Sequence, residues 1–160
     1  MNESRSIGWM LARRLAVYLA AIAVTYLLAA ISATQHVASS LESMGLPVSV
    51  GTRISMVGQD LVGMAGMFLP LIAFGFLVAF LVTALLCRWW GRWRNALYAL
   101  AGACALICIH VALNLAFDIT PVAIARNTSG LMLQGLAGAL GGYVYAVFSP
   151  RRSVPSISAL

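Results

Sequence analysis

His110, Asn114 and Asp118 recur at i, i+4 and i+8 within and at the edge of an apolar run. On a helix this spacing places them along one face. His110 falls inside the run, where a polar or ionisable group is costly and normally faces other helices or a cavity. The three residues can act in two ways. A neutral histidine can simply be satisfied by Asn114, a serine or a carbonyl. Alternatively the three can line a binding site.

Four further residues belong to the same polar level. Asp60, Arg53 and Arg126 lie with Asp118 near one end of the apolar runs, and Glu42 lies further out. Arginine's planar fork suits carboxylate pairing, so this set is expected to dock the 46–67 segment onto the third and fourth apolar runs. Exposed pairs of this kind contribute only ~0–1 kcal/mol each. With Gln59, His110, Asn114 and Gln134 as added donors and acceptors, the set can also form a lateral pocket for a quinone head, a lipid headgroup or a small solute.

Other chemistry is poorly supported. The sequence has no GxSxG and no HExxH motif. An aspartyl dyad of Asp60 and Asp118 would sit beside arginines, which keep both acids ionised instead of sharing a proton. Bis-histidine ligation of haem needs two imidazoles at similar depth on facing helices. The two histidines, His36 and His110, are expected at different depths, and no ligand motif supports zinc. Cys87, Cys104 and Cys108 form no CxxC pair. The last two are four residues apart on one helix face and are expected to serve as small packing residues. No cofactor is expected, and a non-catalytic role is preferred.

The elements that position these residues are four apolar stretches at about 15–33, 68–87, 96–117 and 129–148. Each can cross ~30 Å of hydrocarbon. With 62% hydrophobic and 9% charged residues and a mean hydropathy of +0.94, the chain reads as an all-α integral membrane protein of four transmembrane helices. It comprises a 1–14 lead, one 15–148 membrane domain and a 149–160 tail. The lead and first run have some features of a secretory signal, but the run is too long for an ordinary h-region, so retention as a span is expected. Between the first two spans, Ile54, Val57, Leu61 and Met64 share a face behind a Thr52 N-cap. This suggests a short amphipathic or re-entrant helix, separated from the second span near Gly63, Gly66 and Pro70. Its alternative is a plain extension of that span.

The net charge of +6 comes from ten arginines, four acids and no lysine. Eight arginines (Arg5, Arg13, Arg14, Arg88, Arg92, Arg94, Arg151 and Arg152) fall on one side of the four runs, leaving Arg53 and Arg126 on the other. The positive-inside rule places both termini in the cytoplasm, with Trp89, Trp90 and Trp93 forming an interfacial belt. The charge therefore reflects topology, with no nucleic-acid partner. A bacterial inner membrane is the expected location.

Helix packing gives the other strong signal. Gly138 and Gly142 form a small-xxx-small pair, extended by Gly135 and Gly141, opposite an alanine-rich stretch around Gly102. Such surfaces permit close helix approach, either within the chain or to another membrane subunit, including a second copy. The expected role is a small membrane subunit or accessory protein working through helix contacts. A small transporter, or a protein binding lipid or quinone in the polar pocket, is the alternative. Cysteine-accessibility labelling checks the topology. Positions 4, 91 and 156 should react only from the cytoplasm, and 49 and 120 only from outside. Labelling of position 91 from outside would overturn the four-span order.

Overall fold

A computed structural model describes the backbone of residues 2–117 and 128–150 and the side chains of 8–115 and 129–150. Among them are four α-helices: α1 (Asn2–Ser43), α2 (Val50–Leu86), α3 (Arg94–Phe117) and α4 (Thr128–Phe148), with one short 3-10 turn at Gly91–Trp93. All four helices are long and apolar enough to cross a membrane. The chain is thus a multi-pass helical membrane protein. Consecutive helices pack side by side, and α4 closes the ring against α1.

The α1–α2 turn is built by local capping. Gly45 has φ +82°, its N–H donates to Glu42 O at 3.0 Å, and Leu46 N–H donates to Leu41 O at 3.1 Å. This is a Schellman closure, which only a residue without Cβ adopts readily. Ser49 then caps α2, its Oγ accepting from Thr52 N at 3.2 Å. Thr52 is therefore inside the helix and is not its cap.

The expected separate helix between spans one and two is absent: α2 runs unbroken for 37 residues through Pro70. Proline removes one backbone bond, but packing holds both sides in line. Phe68 and Ile72 flank it and are fully buried, and Tyr26 OH donates to Leu61 O at 2.5 Å. Neighbouring helices commonly support such prolines in membranes. At 1.5 Å per residue α2 is ~55 Å long, far beyond ~30 Å of hydrocarbon. The α1–α2 hairpin therefore projects beyond the bundle. We call this the hairpin end and the Arg88–Trp93 turn the tryptophan end.

The core reflects a division of side-chain size. Helix α2 supplies bulk through Phe68, Ile72, Phe76 and Phe80 at four-residue spacing. Helices α1 and α4 supply Ala21, Thr25, Ala29, Ala137 and Ala146. The α3–α4 contact is closest. A Cβ on Gly102 would overlap the Gly138 carbonyl, one on Gly138 would overlap the Gly102 carbonyl, and one on Gly142 would overlap the Tyr98 carbonyl. Gly141 meets Thr25 and Ala21 of α1, and Gly135 meets Ile107. The span-four glycines are thus used inside the chain. Cys104 and Cys108 are exposed and do not pack as expected, because α3 turns its glycine–alanine face to α4 instead.

Two substitutions separate buried from open glycines. Gly138→Ala should lower stability by about 1–3 kcal/mol through overpacking. Gly66→Ala, with nothing within 4 Å, should be neutral or stabilise by up to about 1 kcal/mol through helix propensity. Thermal unfolding in detergent measures both, and equal effects would contradict the backbone contact.

Candidate functional site

The polar residues at the hairpin end divide into separate groups. At the tip, Arg53 Nη2 lies 2.6 Å from Glu42 Oε1, and Arg53 Nη1 donates to Gln35 Oε1 at 2.7 Å. Arg53 thus ties α2 to α1, and does not reach toward α3 or α4 as expected. Its reach is set by the continuous helix, which carries it along α1. Asp60 Oδ2 accepts from the buried Thr34 Oγ1 at 2.6 Å, which again links α2 to α1. Gln59 is exposed and bonds only Ser55, at 3.3 Å. Asp118 and Arg126 lie outside the described residues.

His110 and Gln134 are the two deeply placed members. His110 is 3% exposed. Its ring meets Phe68 edge-on at 5.5 Å between centroids. Its Nδ1 is 2.8 Å from Leu106 O. A carbonyl can only accept, so Nδ1 carries the proton and Nε2 of the neutral ring is an acceptor. Asn114, one turn on, is exposed. Four residues advance the helix by 400°, a 40° rotation, which moves Asn114 off the buried face. The expected three-residue face thus holds for His110 but not for Asn114.

Gln134 is fully buried. Its Nε2 donates to Ala29 O at 3.2 Å and Ser32 Oγ at 3.4 Å. These acceptors fix the amide orientation, because flipping it would set Oε1 against the Ala29 carbonyl. His110 Nε2 and Gln134 Oε1 are both buried without a hydrogen-bond partner among the described residues. Both are acceptors in search of a donor. A hydroxyl or N–H can satisfy them, whereas a quinone carbonyl cannot pair with either in the neutral state.

At the opposite end lies a group that the sequence pattern did not reveal. Tyr18, Phe80, Tyr98 and Tyr145 come one from each helix. Phe80 and Tyr145 stack at 4.6 Å, Phe80 meets Tyr98 at 5.4 Å, and Tyr18 meets Tyr145 at 6.5 Å. Arg94 lies 5.4 Å over the Tyr98 ring. It donates to Ala146 O and to Ser149 Oγ at 2.5 Å, closing the C-terminus of α4. A cation there also suits the helix dipole. The only available signal was one aromatic per apolar run at similar depth, which is common in membrane helices.

Replacing His110 distinguishes packing from hydrogen bonding. His110→Ala vacates the ring space beside Phe68 and should lower stability by about 1–3 kcal/mol. His110→Phe fills that space, removes the unpaired acceptor and should cost much less. Equal loss in both, by thermal unfolding, would mean that the imidazole nitrogens carry the structural role. No protein-family model, curated protein or solved structure matches this chain, so its site is read from its own residues.

Proposed function

We propose that the protein is a small polytopic membrane subunit or accessory protein that acts through helix–helix contact within a membrane complex. The proposed location is a bacterial inner membrane, and the arginine distribution supports cytoplasmic placement of both termini. One observation carries the functional reading. Gly102 of α3 and Gly135, Gly138, Gly141 and Gly142 of α4 are consumed internally, but Gly58, Gly63 and Gly66 of α2 have nothing within 4 Å among the described residues. Gly51, Ser55, Gly58, Val62 and Gly66 follow one another along one exposed face. Each interior helix glycine costs ~0.5–1 kcal/mol relative to alanine. The described residues make no use of that cost, whereas a helix from another subunit or a second copy would, by approaching closely. The same hairpin exposes Val50 (73%), Ile54 (68%) and Val62 (81%), apolar surface that a partner would cover.

A second reading has its own observation. The unpaired acceptors on His110 and Gln134 suit a buried small molecule carrying hydroxyl or N–H donors. Retention of such a molecule by the wild type, and its loss in a stable His110→Phe variant, would favour this reading over the contact role.

The contact role is tested at Gly58 and Gly66. Because the space around them is open, Gly58→Leu and Gly66→Leu should leave the melting temperature nearly unchanged. They should weaken the assembly at least about tenfold, ~1.4 kcal/mol, by native mass spectrometry and co-purification. A wild-type chain that extracts alone, or an assembly indifferent to both changes, would sink the proposal.

A further inference from the structure

We propose that the tryptophan end holds a binding site for an anionic phospholipid. An open groove of about 450 Å³ runs between Trp90, Trp93, Ala96, Leu97 and Leu100. Local backbone bonds build it. Trp90 N–H donates to Leu86 O at 3.1 Å, and Trp93 N–H donates to Trp90 O at 3.1 Å. The turn thereby sets Trp90 and Trp93 beside the face of α3 that carries Leu97 and Leu100. The lining is almost wholly apolar, and Trp90, Trp93 and Leu100 are 64%, 65% and 61% exposed. An acyl chain lying along α3 fits this lining, with the indole rings at headgroup level.

Charge identifies the headgroup. Arg88 lies two residues before Trp90 and Arg92 next to Trp93; both are exposed and form no ion pair among the described residues. Arg94, by contrast, is committed to the end of α4. The carboxylates of Glu42 and Asp60 both lie toward the hairpin end, so neither neutralises this turn. Arginine's fork matches a phosphate. Two guanidiniums with no carboxylate partner among the described side chains, carried by the turn that builds the apolar groove, thus select a lipid with net negative charge over a zwitterionic one.

The test uses the full chain in vesicles. Trp9→Phe and Trp89→Phe leave Trp90 and Trp93 as fluorophores, and brominated acyl chains report contact by quenching. Brominated phosphatidylglycerol is compared with brominated phosphatidylcholine at equal mole fraction. The expected preference for phosphatidylglycerol is at least about fivefold, the effect of one interfacial arginine. Arg88→Gln with Arg92→Gln should abolish it, and Arg88→Lys with Arg92→Lys should keep it. If the tryptophan variant does not fold, native mass spectrometry of the unsubstituted chain, counting each lipid retained, makes the same comparison. Equal quenching by the two lipids, or a preference unaffected by the glutamine pair, overturns the proposal. So does displacement of the lipid by soluble glycerol phosphate, which would assign the site to a free phosphate.

Discussion

The backbone contact between α3 and α4 constrains everything else in the bundle. In lipid no hydrophobic driving force pulls helices together, so association relies on close packing and on hydrogen bonds between them. Gly102, Gly138 and Gly142 let main chain touch main chain, and this fixes the height of α4 relative to α3. That height sets Ala146 and Ser149 within reach of Arg94 of α3, and α4 at the same height meets α1 through Gln134 beside Ala29 and Gly141 against Thr25 and Ala21. A slip of one turn would break all three.

Each end of this contact carries a different kind of polar group. At the tryptophan end, Arg94 and the four-helix aromatic cluster close the bundle, and Tyr18 OH donates to Ala73 O. At the hairpin end, side chains hold α1 to α2 in pairs: Arg53 with Glu42 and Gln35, and Asp60 with Thr34. Between them Phe68, Ile72, Phe76 and Leu106 fill the interior. No continuous polar route links the two ends among the described residues.

The spans and the glycine contact were legible in sequence because both depend on composition along one helix. The lengths of α1 and α2 were less so. Gly63, Gly66 and Pro70 resemble a break, and only Phe68, Ile72 and Tyr26 packing across that point keeps the helix whole. The polar level was legible in part. His110 is buried as its depth suggests, but Asn114 rotates outward. Arg53 meets residues of α1 because the uninterrupted α2 carries it there. Partners on other helices, such as Ala29 for Gln134 or Ala146 for Arg94, leave no periodicity to read.

Two features remain unused among the described residues: the open glycines of α2 and the two buried acceptors on His110 and Gln134. Each unpaired acceptor costs ~1–3 kcal/mol, more than one exposed glycine at ~0.5–1 kcal/mol. Energy alone would rank the interior first, but access reverses that order. A ligand reaching His110 Nε2 must displace side chains packed around a ring that is 3% exposed, Phe68 among them. A helix reaching Gly58 and Gly66 displaces none of the described side chains. The surface can be satisfied without rearranging the bundle, and the interior cannot. A contact role therefore needs only the structure as it stands, whereas a pocket role requires a second conformation whose opening cost the ligand must offset.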